Sequence, residues 1–72
     1  MTVKEKLNIL EELLSIEKDT LDENRLLEDM EEWDSMAVIS LIAMFDSVFG
    51  KEIKTEEIKQ FRTVKDIIDK ME

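Results

Sequence analysis

In 72 residues this chain has one glycine, Gly50, and no proline. Tight hairpin turns lean on glycine to reach positive φ, so a fold assembled from β-hairpins is disfavoured. What remains is a set of helices whose ends are capped by side chains. Val3, Leu7, Leu10, Leu13 and Leu14 recur at helical spacing and predict a first helix over residues 3–14. Thr2-Val3-Lys4-Glu5 reads as a capping box at its start. Lys4, Glu5, Lys6, Glu11 and Glu12 are expected on the opposite, solvated side.

Residues 15–34 form a connection too long to be structureless in so small a domain. Thr20-Leu21-Asp22-Glu23 repeats the capping-box pattern, so a helical turn is expected after Thr20. Leu21, Leu26, Leu27 and Met30 are candidates to pin this segment to the core. Between Glu17 and Asp34 there are nine acids and two bases, so the stretch carries −7 of the chain's −9.

A second helix is expected over residues 35–49. Asp34 is placed to cap it, and Gly50 to stop it in a left-handed conformation. Trp33 and Val38 have the spacing of a hydrophobic staple around that cap, although Trp33 could also stack on a bound group. A short third helix is expected over residues 56–60, capped by Thr55, with Glu56 and Glu57 suited to its dipole. A fourth begins after Thr63 and runs to about Met71, with Val64, Ile67, Ile68 and Met71 as its buried stripe. The expected fold is all-α: a small bundle of three longer helices and one short one, in a single domain over residues 1–72.

Composition excludes several kinds of chemistry. There is no cysteine and no histidine. Disulfides, thiolate nucleophiles and a Ser-His-Asp triad are therefore out of reach, and the commonest metal ligands are missing. Asp19, Asp22 and Asn24 hint at a calcium loop, but the glycine and terminal glutamate it needs do not follow. No catalytic residue and no metal site is expected. A net charge of −9 opposes binding to nucleic-acid phosphates and favours a basic protein partner. No apolar run has the length of a membrane span, and the first residues lack a signal peptide's apolar core, so a cytoplasmic location is the default; a monomer is expected.

The second helix is unusual. Val38, Leu41, Ile42, Phe45, Val48 and Phe49 form a broad apolar side expected to be core. On the other side lie Met36, Ser40, Ala43 and Ser47, with Ile39 near the edge, and Asp46 is the helix's one charged residue. Two readings are open: a central helix packed nearly all round, or an exposed docking face of small and apolar side chains. Ser35 stands at the start of this helix, where unpaired amides and the dipole would favour a phosphate ester. A serine in that place is also an ordinary helix cap.

The run Trp33-Asp34-Ser35-Met36 resembles the Asp-Ser-Leu attachment motif of acyl carrier proteins and related carrier domains, with Met36 in place of leucine. Ile39, Leu41, Ile42 and Phe49, then Glu52-Ile53, Glu56-Glu57, Thr63-Val64 and Asp66-Ile67-Ile68, continue the family pattern without an evident gap. The resemblance implies that a phosphopantetheinyl transferase moves a 4′-phosphopantetheine arm from coenzyme A to Ser35, with Asp34 as the motif's acid. The arm's thiol would then hold an acyl group as a thioester, and loading and processing enzymes with basic docking patches would act on it. The family often has acids on the exposed side of this helix, whereas Ala37, Ser40, Ser47 and Val48 stand at comparable positions here. The partner-binding candidates are therefore an apolar patch at Met36, Ile39 and Ala43, framed by Glu31 and Glu32 before the helix and Glu56 and Glu57 after it. An aminoacyl or peptidyl carrier would use the same motif. An unmodified acidic helical adaptor is the reading from a different class.

Overall fold

The computed structural model describes residues 1–71, so the last position of the expected 1–72 domain, Glu72, lies outside the described residues. Four α-helices follow in order: α1 (Val3–Leu14), α2 (Ser35–Phe49), α3 (Thr55–Ile58) and α4 (Val64–Ile68), with a 3-10 turn at Leu27–Asp29 between α1 and α2. The all-α bundle expected from the sequence is the fold observed. Its proportions differ, because α4 has five residues and only α1 and α2 are long.

α1 begins, and α2 begins and ends, where the expected caps stand. Thr2 Oγ1 accepts the N–H of Glu5, and the Glu5 carboxylate accepts the N–H of Thr2. Gly50 ends α2 at φ 60°, its N–H donating to the Asp46 carbonyl while the Lys51 N–H donates to that of Phe45. Ser15 ends α1 in the same left-handed conformation without being a glycine, at φ 59°. The chain stops regular α4 early because its last turn tightens. The Lys70 and Met71 N–H groups donate three residues back, to Ile67 and Ile68. That tightening delivers Met71 to the core, so the expected stripe of Val64, Ile67, Ile68 and Met71 is buried in full.

Two of the shorter starts differ from expectation. Lys54, not Thr55, is the N-cap of α3, and no side chain caps it; Thr55 is its first residue. No helix follows Thr20. Its hydroxyl donates to the Glu17 carbonyl, and the N–H groups of Thr20 and Leu21 both donate to the Glu11 carboxylate. With those amides taken, the capping geometry is unavailable.

Glu11 itself is a correction. The helical spacing puts it on the solvated side of α1, but it is 2% exposed. It folds under the connection and accepts from Asn8 Nδ2 as well as from the two backbone amides. Burial pushes its carboxyl up, but the Leu21 amide, the Asn8 side chain and the amides of Asp19 and Thr20 outweigh it and hold the pKa down at about 2.

The connection is thereby part of the core. Leu21, Leu27 and Met30 are buried as expected, while Leu26 is 42% exposed because its strand-like backbone faces Thr63 in an isolated antiparallel bridge. The Leu27 N–H donates to the Arg62 carbonyl at 2.9 Å, the Val64 N–H to Arg25 at 3.1 Å, and the Lys65 N–H to Glu23 at 2.8 Å. These bonds lock the segment that enters α2 against the turn between α3 and α4.

Candidate functional site

The start of α2 is set by Asp34. Its backbone is extended, at φ −128° and ψ −173°, and its Oδ1 accepts the N–H of Ala37 at 2.9 Å. The approach is equally constrained: the Trp33 N–H donates to Met30, and the Asp34 N–H to Glu32. Trp33 and Val38 are half-buried and both pack on the core. Ser35 is then the first residue of the helix and is exposed. Because Asp34 supplies the cap, the Ser35 hydroxyl is not needed for that purpose. It stands at the positive end of a 15-residue helix, beside first-turn amides that have no partner within the helix.

The same helix divides sharply between core and solvent. Leu41 and Phe45 are fully buried, and Ala37 and Met44 nearly so. Val48, expected in the core, is 50% exposed, and Ala37, expected on the open side, is buried; the inward stripe is rotated toward Ala37, Leu41, Met44 and Phe45. A helix packed all round is therefore not what the structure shows. Met36 is 67% exposed and Ile39 is 60% exposed. Ala43 is exposed too, and the three positions fall on one face at helical spacing. They lead away from Ser35 as one apolar surface.

The acids named as its frame are exposed. Glu31 and Glu32 occupy the turn before Asp34, and Glu56 and Glu57 lie on α3. Glu57 is not wholly free, since its Oε2 lies 3.8 Å from Nζ of Lys70. Sequence reasoning missed one feature next to the site, a cleft of about 460 Å³ between Trp33 and the α3–α4 turn, which Lys59, Phe61 and Arg62 line. No local pattern announces it, because it exists only where residues 26–33 meet residues 59–62. Among the described residues no cluster has the makings of a metal site, and no helix is long and apolar enough to cross a membrane.

Residues 7–71 match the family described as "Phosphopantetheine attachment site". The chain is similar to the acyl carrier protein of Coprothermobacter proteolyticus, 33% identical over 66 residues, covering 90% of this chain and 79% of that protein. No solved structure matches it.

Proposed function

The chain belongs to the family that bears a phosphopantetheine attachment site, and on that premise we propose that Ser35 is the residue that takes the arm. The protein is a carrier and not a catalyst, and its cofactor is 4′-phosphopantetheine. The observation that carries the assignment is the division of labour at the helix start. Asp34 caps α2, so Ser35 is left exposed with its hydroxyl unclaimed by the helix. A phosphodiester on that oxygen sits at the positive end of α2, near amides able to donate to it. When bound, the arm supplies a terminal thiol that holds cargo as a thioester.

We take the cargo to be an acyl group, the reading that the acyl carrier relative supports over an aminoacyl one. Partner enzymes read Met36, Ile39 and Ala43 by apolar contact, and Glu31, Glu32, Glu56 and Glu57 attract basic docking patches. Asp34 accompanies Ser35 as the acid that helps orient the transferase complex. Its compartment is the cytoplasm, where coenzyme A is at hand to donate the arm.

The test is an intact-mass measurement after incubation with coenzyme A, magnesium and a broad-specificity phosphopantetheinyl transferase. Wild type gains the mass of one phosphopantetheine and Ser35→Ala gains none. A gain on the alanine variant moves the attachment elsewhere, and no gain with several transferases overturns it. Loading the product with acyl and with aminoacyl donors then separates the two kinds of carrier.

A further inference from the structure

The cleft beside Trp33 brings aromatic and basic side chains together. Its apolar lining includes Trp33, Phe61 and Leu26, and its charged lining is Lys59, Arg62 and Glu28. Two cations against one carboxylate make it locally positive in a chain whose net charge is −9. Neither cation is in a contact ion pair, since among the described residues the one such pair is Lys70 with Glu57, although Asp66 lies near enough to feel the Arg62 charge. Asp66, four residues beyond Arg62, commits its carboxylate to the backbone N–H groups of Arg62 and Thr63. The walls are also fixed in advance, because the Leu27 N–H to Arg62 carbonyl bond ties one side to the other. A slot lined by both aromatic and basic side chains suits a ligand with an apolar body and an anionic end. Trp33 is two residues from Ser35, so whatever Ser35 carries is tethered beside the slot, and tethering populates contacts too weak to hold a free ligand.

We propose that this cleft receives the acyl end of the protein's own arm, and that the cargo bears a second, ionised carboxylate held by Lys59 and Arg62. The proposal deepens the carrier reading and rests on attachment of the arm at Ser35. Lys59 and Arg62 thereby act as specificity-determining residues, selecting half-esterified dicarboxylic acyl groups over simple fatty ones.

A transferase that accepts acylated coenzyme A can install three arms: unloaded, pentanoyl and glutaryl. The last two match in chain length and differ in the terminal carboxylate. Trp33 is the only tryptophan, so its fluorescence reports on the cleft. The glutaryl form is expected to shift Trp33 emission and to lose its thioester to hydroxylamine about two- to fivefold more slowly than the pentanoyl form, the scale of an exposed charge contact. In a Lys59→Gln, Arg62→Gln double variant the glutaryl rate should rise to the pentanoyl one; both side chains are exposed, and circular dichroism checks that the fold is kept. Equal behaviour of the two acyl forms overturns the proposal, as does a glutaryl rate unmoved in the double variant. A full Trp33 shift from the unloaded arm also overturns it, by assigning the cleft to the arm's own phosphodiester. Loss of mass gain on every arm overturns the attachment at Ser35 and this proposal with it, whereas mass gain without discrimination sinks the cleft alone.

Discussion

The Glu11 carboxylate accepts the backbone N–H of Leu21 at 2.8 Å, across ten positions of sequence. It also accepts the N–H of Thr20 and the side-chain amide of Asn8. A buried acid of this kind organises backbone that would otherwise have no regular partner.

Removing it should therefore loosen the connection that leads to Ser35. Glu11→Ala leaves two backbone amides without their acceptor and should cost about 2–3 kcal/mol, measured by urea denaturation. Glu11→Gln keeps the shape but turns one acceptor into a donor beside Asn8, and should cost less than the alanine change. If both variants unfold at the wild-type urea midpoint, the carboxylate is ornamental.

The same group fixes a pH dependence. Its folded pKa, about 2, lies below the ordinary carboxylate value. The stability it contributes is thus complete above that ordinary value and is lost as pH falls from there toward about 2. Asp66 is lowered as well, by the N–H groups of Arg62 and Thr63, and acts in the same direction. Wild type should lose thermal stability steeply on acidification below the usual carboxylate range. Glu11→Gln should show a shallower loss over that interval.

Gly50 and Ser15 make a matched pair of opposite sign. Both end a helix at φ near +60°, and a Cβ placed at Gly50 would meet nothing within 4 Å. The cost of Gly50→Ala is then backbone strain alone, about 1 kcal/mol. Ser15→Gly should relieve the corresponding strain and raise stability by several tenths of a kcal/mol. Calorimetric melting of both variants checks the two signs together.

The cap that Asp34 provides and the transferase role proposed for it can be separated by one substitution. Asp34→Ala removes the cap from Ala37 and should destabilise the fold by about 1 kcal/mol. Asp34→Asn still accepts that N–H, so stability should hold. Arm transfer to Ser35 should nonetheless slow, because the carboxylate's charge is gone. Unchanged transfer by the asparagine variant would reduce Asp34 to a cap.

The docking reading makes a further demand. Ile39→Ser lies on the exposed face and should alter stability by no more than about 0.5 kcal/mol, yet it should weaken partner binding. Glu31→Lys with Glu32→Lys should slow association with a basic partner at low salt, and the difference should shrink as salt screens it. An on-rate indifferent to both charge and salt would leave the acids as solvated ornaments of the turn.

How far the sequence revealed this molecule depended on whether the relevant interaction was local. The capping partners Thr2 with Glu5 and Asp34 with Ala37 lie three residues apart, and the helices they start were legible to the residue. The Thr20-Leu21-Asp22-Glu23 pattern was just as good on paper. It failed because a carboxylate from α1 had already claimed its amides, and nothing within four residues could disclose that. Val48 and Ala37 exchanged places for a similar reason: periodicity locates an apolar stripe, but neighbouring elements decide its rotation by a residue. At the start of α2, Asp34 as the cap and Ser35 as the first helical residue could be read directly. The cleft facing Trp33 could not, since its two walls are about thirty residues apart in the chain.

The bond from the Lys65 N–H to the Glu23 carbonyl has a bearing on synthesis. It joins positions 42 apart, and closing so long a stretch is entropically slow compared with winding either helix. A ribosome emits the segment before Ser35 well ahead of the residues that hold it. Until Thr63, Val64 and Lys65 have left the exit tunnel, α2 can wind but the segment that enters it has nothing to lean on. A nascent chain paused before that point would hold Ser35 on an unanchored helix, so under the proposed attachment the arm should be added only once α4 has formed.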